Sequence, residues 1–427
     1  MSERSGAVVF LASAMALAVA YGVAAARNDW FPNPQVSLAL DTVRDLEANW
    51  RNDLELEPTR HLVPARVAGR NEAERYRVER PDAVEPGYVL VAGLSGQQES
   101  SAFEVGLYDA AGRLLHRWPV DYRQLDPEGP KPLHVMVHGM EVFDDGSVAV
   151  TFDAGRALAR LDACGNPMWV AHGNYHHAIT SDGAGGLWAW RDETIVRLDA
   201  ETGAVTKSLD LRKDIIPANG RQDGVFSIRA TIAGADAPLA YPPDPFHAND
   251  VEPLRPEMAA AFPMFEAGDL LVSLRELNLV AVIDPDDGAL RWWQHGPWLK
   301  QHDPDFQPDG TITVFDNHTG SGASRILRVH PGTHAVESVY AGSEAAPFYS
   351  WQRGKHQLLP GGNVLVTEAE QGRVFEAAPD GSLVWERDMG WDADRNMIVT
   401  EARHVAKDFF RDGPPSCIVT ASLAPGI

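Results

Sequence analysis

Residues 6–26 form an uninterrupted uncharged run bounded by Arg4 and Arg27. At 21 residues the run is long enough to span a bilayer as a helix. Ala24-Ala25-Ala26 at its end also offers a small-residue cleavage site, so residues 1–27 read as a membrane anchor or a signal peptide. The anchor is favoured because the run exceeds most signal-peptide cores and little basic charge precedes it. No second apolar run of that length follows. Over residues 36–51, Leu38, Leu40, Val43, Leu46 and Trp50 recur at helical spacing among charged residues, which predicts an amphipathic helix. Residues 55–86 are charged and proline-bearing, and complete a helical lead and connector over residues 28–86. From Gly87 the pattern changes to short apolar strands broken by turns.

These strands repeat. One element is an apolar strand, an Asp and Gly turn, and a further strand that often holds Trp. It recurs around Asp109 and Gly112 with Trp118, Asp162 and Gly165 with Trp169, Asp199 and Gly203, and Asp284 and Gly288 with Trp292. A degenerate copy lies at His330-Pro331-Gly332, and a sixth at Asp380-Gly381 with Trp385. A second strand–turn–strand element precedes five of them, with turns at Asp145-Gly146, Asp182-Gly183, Gly268, Asp309-Gly310 and Gly361-Gly362. Each unit therefore holds about four short strands at blade-like spacing, which predicts an all-β, six-bladed β-propeller over residues 87–427. An irregular pair of β-sandwiches is the competing arrangement.

Composition narrows the partners. The net charge of −23 disfavours nucleic acid, since phosphate binding needs a basic surface. The two cysteines, Cys164 and Cys417, form no CxxC and exclude a cysteine-type zinc site. They form one disulfide if the ends of the fold meet; otherwise they are two buried thiols.

The innermost strand of a blade lines the central channel. At these positions stand His138, His177, His247, His302 and His356. One histidine on a strand is ordinarily structural, but several gathered on an axis can bind a metal, take a proton or act as nucleophiles. Arg275, after the strand that follows His247, supplies a planar cation suited to sulfate, phosphate or carboxylate. No GxSxG, Walker loop, HExxH or Rossmann glycine pattern is present.

The ordered set His247-Ala248-Asn249, Ser273-Leu274-Arg275, Ile283-Asp284, Gln301-His302-Asp303 and Val314-Phe315-Asp316-Asn317 resembles the bacterial arylsulfotransferase family. The run from Leu359-Pro360-Gly361-Gly362 through Trp385-Glu386 is similar to that family's closing blade. The resemblance, over residues 87–387, implies a periplasmic six-bladed propeller that works without a soluble nucleotide sulfate donor. It implies that His302 becomes sulfated, that His247 and Arg275 bind the sulfuryl group, and that His177, or His176 beside it, assists them. Asn249, His356 and His138 complete the expected substrate-binding set. The implied partners are an aryl sulfate donor and a phenolic acceptor, with no cofactor and no metal. The chain departs from the better-known members in lacking their N-terminal β domain and closely spaced cysteine pair. Two other classes compete: a non-catalytic, membrane-tethered interaction module, and a metal-dependent hydrolase or lyase built on the axial histidines. A quinoprotein dehydrogenase is disfavoured because its adjacent cysteines are missing.

Overall fold

The computed structural model describes residues 3–28, 30–71, 74–96, 102–227, 244–344 and 346–417. The chain divides into two units, Met1–Arg60 and His61–Ile427. In the first, helix α1 spans Glu3–Asn28 and helix α2 spans Asn33–Asp53. A 24-residue stretch of α1, Ser5–Asn28, is long and apolar enough to cross a membrane, and its apolar side chains other than Ala25 are largely exposed. The apolar positions of α2, among them Leu38, Val43 and Trp50, are likewise exposed.

The second unit is a six-bladed propeller. Blades 2 to 5 each run outward from the channel in chain order, beginning with inner strands Met136–Val142, Tyr175–Ser181, Ala248–Pro253 and His302–Phe306. Blade 6 begins with Lys355–Leu358 and gains a fifth, outer strand, Tyr76–Val78, from the connector. Blade 1 is built from both ends of the unit. Tyr88–Leu94, Phe103–Asp109 and Leu114–Val120 form its outer three strands, and the C-terminal Val399–Val405 pairs in as the innermost. This explains why only five copies of the inner element precede the six repeats. It also closes the ring, because the last strand of the chain completes the first blade.

The apolar core lies between blades. Trp188, Trp190 and Ile195 of blade 3 pack with Val251, Val272 and Leu274 of blade 4, and Trp292 of blade 4 packs with Ile312 and Val314 of blade 5. The recurring tryptophans act as latches: Trp118 donates to the Gly146 carbonyl at 2.9 Å, Trp169 to Ala200 at 2.9 Å and Trp292 to Pro331 at 3.1 Å, each on the next blade. Buried indole N–H groups need such acceptors. Cys164 and Cys417 are joined as a disulfide, tying the chain beyond blade 1's inner strand to the outer turn of blade 2.

Candidate functional site

Inner strands deliver the site, and their irregularity aims it. A β-bulge interrupts pairing in five of the six inner strands: between Val137 and Met140, His176 and Ile179, Ala248 and Asp250, His302 and Asp305, and Val399 and Glu401. A bulge breaks strict alternation and re-aims side chains. His138, His177, Asn249 and Asp303 lie inside these bulges. His177, His247 and Asp303 adopt positive φ of 57°, 45° and 51°. Non-glycine residues seldom adopt this backbone region, and it clusters at functional sites.

The structure brings four of the five inner-strand histidines together. The ring of His177 lies 4.2 Å from that of His138, 5.1 Å from His247 and 6.3 Å from His302, centroid to centroid. His176 stands at the rim, its ring 5.0 Å from that of His177. A cavity of about 370 Å³ opens onto His176, His177 and His247. Arg275 follows the second strand of blade 4, with its backbone N–H on the His247 carbonyl at 3.2 Å and its guanidinium on Glu276. His356 does not join the group; it packs on Asp303 further along the channel.

The hydrogen-bond network sets which nitrogen of each ring is free. The Asn317 amide nitrogen donates to the carbonyls of Ser350 at 2.7 Å and Arg353 at 2.8 Å, so its oxygen faces His302. That oxygen accepts from His302 Nδ1 at 2.7 Å. The proton of His302 is therefore on Nδ1, and Nε2 presents a lone pair that is buried and has no hydrogen-bond partner among the described residues. Burial, then the charge of Arg275, holds the His302 imidazole well below the usual 6.5, against the Asn317 hydrogen bond. At neutral pH the ring is a neutral base.

His177 is likewise held well below 6.5, by burial and by its histidine neighbours. His176 Nε2 donates to the Asp192 carbonyl at 2.9 Å, so its Nδ1 accepts from His177 Nδ1 at 2.8 Å. The Nδ1 of His247 is bound by Asp244, and burial and Arg275 lower the pKa of that imidazole. His138 lies 4.0 Å from Asp153, and burial pushes it down to about 3. Asn249 is buried and donates to the backbone carbonyl of Gln301 at 2.8 Å, fixing the residue before His302.

Sequence reasoning placed Asn317 within Val314-Phe315-Asp316-Asn317 without giving it a role, and did not single out Asp244 or Asp192. Asn317 carried a signal, a polar pair closing the apolar strand that runs beside His302; Asp192 acts through a backbone carbonyl and carried none.

The chain belongs to the arylsulfotransferase (ASST) family, whose model matches residues 139–390 of the 427. That span includes His177, His247, Asn249, Arg275, His302 and His356. No curated protein matches the chain in sequence. Among solved structures it is similar to a protein of unknown function from Bacteroides caccae, at 12% identity and a TM-score of 0.48, covering 75% of this chain and 99% of that one. It is also similar to TolB from Acinetobacter baumannii, at 13% identity and a TM-score of 0.44, covering 75% and 67%. Virginiamycin B lyase from Staphylococcus aureus matches at 13% identity and a TM-score of 0.35, covering 58% and 69%.

Proposed function

We propose that the protein transfers a sulfuryl group from an aryl sulfate to a phenol through a covalent sulfohistidine at His302. The observation that carries this reading is the free, buried Nε2 lone pair of His302 beside a guanidinium and two further imidazoles. Nε2 attacks sulfur, the N–S bond forms, and the S–O bond to the aryl group breaks with its electron pair leaving on the phenolate. The ring keeps its Nδ1 proton on Asn317. Arg275 holds the sulfuryl oxygens as charge builds, and His247 and His177, neutral rings protonated on Nδ1, border the group and donate to its oxygens only after taking a proton on Nε2. The acceptor phenol then attacks the same sulfur, the N–S bond breaks, and the neutral imidazole returns. The acceptor's proton passes to the imidazole cluster, where His247, with Nδ1 held by Asp244, offers Nε2. Asn249 and His138 are proposed as further substrate contacts; His356, buried against Asp303 away from the imidazole cluster, is not among them.

The proposed setting is the periplasm, with residues 1–27 as inner-membrane anchor, residues 28–86 as lead and residues 87–427 as the transferase domain. The disulfide supports an oxidising compartment.

The test uses the full-length protein in detergent with a chromogenic aryl sulfate, with and without a phenol acceptor. Acceptor-dependent release of the donor phenol and a sulfate-sized mass adduct mapped to His302 are expected, and His302→Asn loses both while remaining folded. Wild-type turnover in His302→Asn would sink the mechanism.

A further inference from the structure

The channel holds a second constellation, further along the inner strands, that sulfuryl transfer does not use. A cavity of about 510 Å³ opens there, lined by six carboxylates, Glu141, Asp250, Glu252, Asp303, Asp305 and Glu401. Three cations share the lining. Arg403 pairs with Glu141 at 2.8 Å and Glu401 at 2.9 Å, and Lys355 lies 2.8 Å from Asp303 and 3.8 Å from Asp250. Arg255 donates to the Ser181 carbonyl at 3.5 Å, its one hydrogen bond among the described residues. Asp305 accepts no hydrogen bond from any described residue.

His356 stands among these carboxylates with its side chain fully buried. Asp303 receives Lys355 on one oxygen, and the backbone N–H of His356 at 2.6 Å on the other. It is thus a carboxylate and can only accept, so the 3.0 Å contact from His356 Nδ1 places the imidazole proton there. Nε2 is left with a lone pair, buried and with no hydrogen-bond partner among the described residues. It faces Asp305 Oδ2 at 3.6 Å. An Nε2–H could not bond across that gap. At that distance the lone pair and the carboxyl oxygen are bridged neither by a proton on Nε2 nor by one on Asp305, whereas a cation between them engages both.

We propose that His356 and Asp305 are ligands of a divalent transition-metal cation, zinc-like in accepting mixed imidazole and carboxylate donors. Two ligands on bonds of about 2.1 Å at a tetrahedral angle stand about 3.4 Å apart, and the observed separation is 3.6 Å. Candidate ligand atoms of Asp303, Asp305 and His356 all lie within 4.8 Å of one another. Asp303, with both oxygens already engaged, acts behind the histidine, in the carboxylate–imidazole–metal arrangement that fixes tautomer and raises ligand basicity. The imidazole disfavours magnesium and calcium, which take oxygen donors. The ion fastens the inner strand of blade 5, which begins at His302, to that of blade 6. It takes no part in the transfer, so failure of either proposal leaves the other standing.

The experiment strips full-length protein with a chelator, then titrates zinc, magnesium and calcium separately by calorimetry and counts bound metal by elemental mass spectrometry. Zinc is expected to bind in preference to the other two. Asp305→Asn and His356→Gln each lose one equivalent or weaken it tenfold or more, whereas His177→Asn, in the separate imidazole cluster, keeps it. Should His356→Gln fail to fold by circular dichroism, Asp305→Asn alone decides. Unchanged zinc binding in Asp305→Asn, loss of that equivalent in His177→Asn, or a preference for magnesium or calcium overturns the proposal.

Discussion

Asn317 decides what His302 can do. Its amide is locked by the Ser350 and Arg353 carbonyls, so it can present only an acceptor to Nδ1. Replacing it with alanine frees the imidazole to carry its proton on either nitrogen and removes a donor from the buried Ser350 carbonyl and from the part-buried Arg353 carbonyl. A catalytic imidazole in the wrong tautomer loses on the order of a hundredfold or more in rate. Asn317→Ala is expected to lower kcat by that order with KM little changed, since Asn317 positions the nucleophile and does not touch the sulfuryl group. Asn317→Asp has a different signature. A carboxylate beside Nδ1 stabilises the imidazolium, so the acid limb of the pH–rate profile moves to higher pH. Steady-state kinetics across pH checks both; a loss carried mainly by KM in the Ala variant, with no shifted limb in the Asp variant, would assign Asn317 a structural role only.

Bulged inner strands turn a repeat into a site, and Gly139 shows how tightly they are built. A Cβ at 139 would lie 2.0 Å from the His177 carbonyl oxygen. Thr151 ties the two bulges together, accepting from Gly139 N–H at 2.9 Å and donating to that carbonyl at 2.7 Å. Gly139→Ala must push blades 2 and 3 apart at the His177 bulge, and overpacking of this kind costs about 1–3 kcal/mol. A lower denaturant midpoint with unchanged m-value is expected; an unchanged midpoint would mean the bulges yield freely. The same geometry marks the limit of sequence reading. Turn residues and tryptophans recur in register, so the blades and their six-fold count were legible from Gly87 on. The inner-strand positions of His138, His177, His247 and His302 were legible too. A one-residue bulge leaves no periodic trace, so the pattern that aligned His356 with the other four carried no sign that it would pair with Asp303 instead. The closing strand Val399–Val405 was hidden for another reason: it pairs with Tyr88–Leu94, about 300 residues earlier, and carries no histidine at the site.

Across the whole propeller the two stretches of the channel oppose each other in pH. His138 and His177 stay neutral when folded, yet unfolded imidazoles protonate near 6.5. Below that value the unfolded chain binds more protons, so these histidines withdraw stability as pH falls, down to about 3 for His138. Asp153, Arg353, Lys355 and His176 bear on His138, and His138, His176, His247 and His302 on His177, without overcoming burial. The carboxylates act with the reverse sign. Burial pushes Asp250 up to about 7, with Lys355 opposing and Asp303 and Glu401 adding to it. Burial and the nearby Asp250 and Asp303 push Glu252 up to about 8, against the Phe306 N–H and Arg255. Folded, these two hold protons that the unfolded chain has already released, so they withdraw stability as pH rises toward 7 and 8. Above 6.5 the histidines no longer contribute, and the carboxylate effect stands alone. In chelator, stability from denaturant titrations should therefore fall between pH 6.5 and 8. Each retained proton accounts for about 1.4 kcal/mol per pH unit. Glu252→Gln keeps the neutral shape without the proton and should flatten that decline, most clearly between pH 7 and 8, where Asp250 has already ionised. A wild-type curve level across this range would show that the buried carboxylates are ionised in the folded chain and balanced by charge within the channel; a decline as steep in Glu252→Gln would assign the retained proton to another buried carboxyl, such as Asp305, which burial and its acidic neighbours also push up.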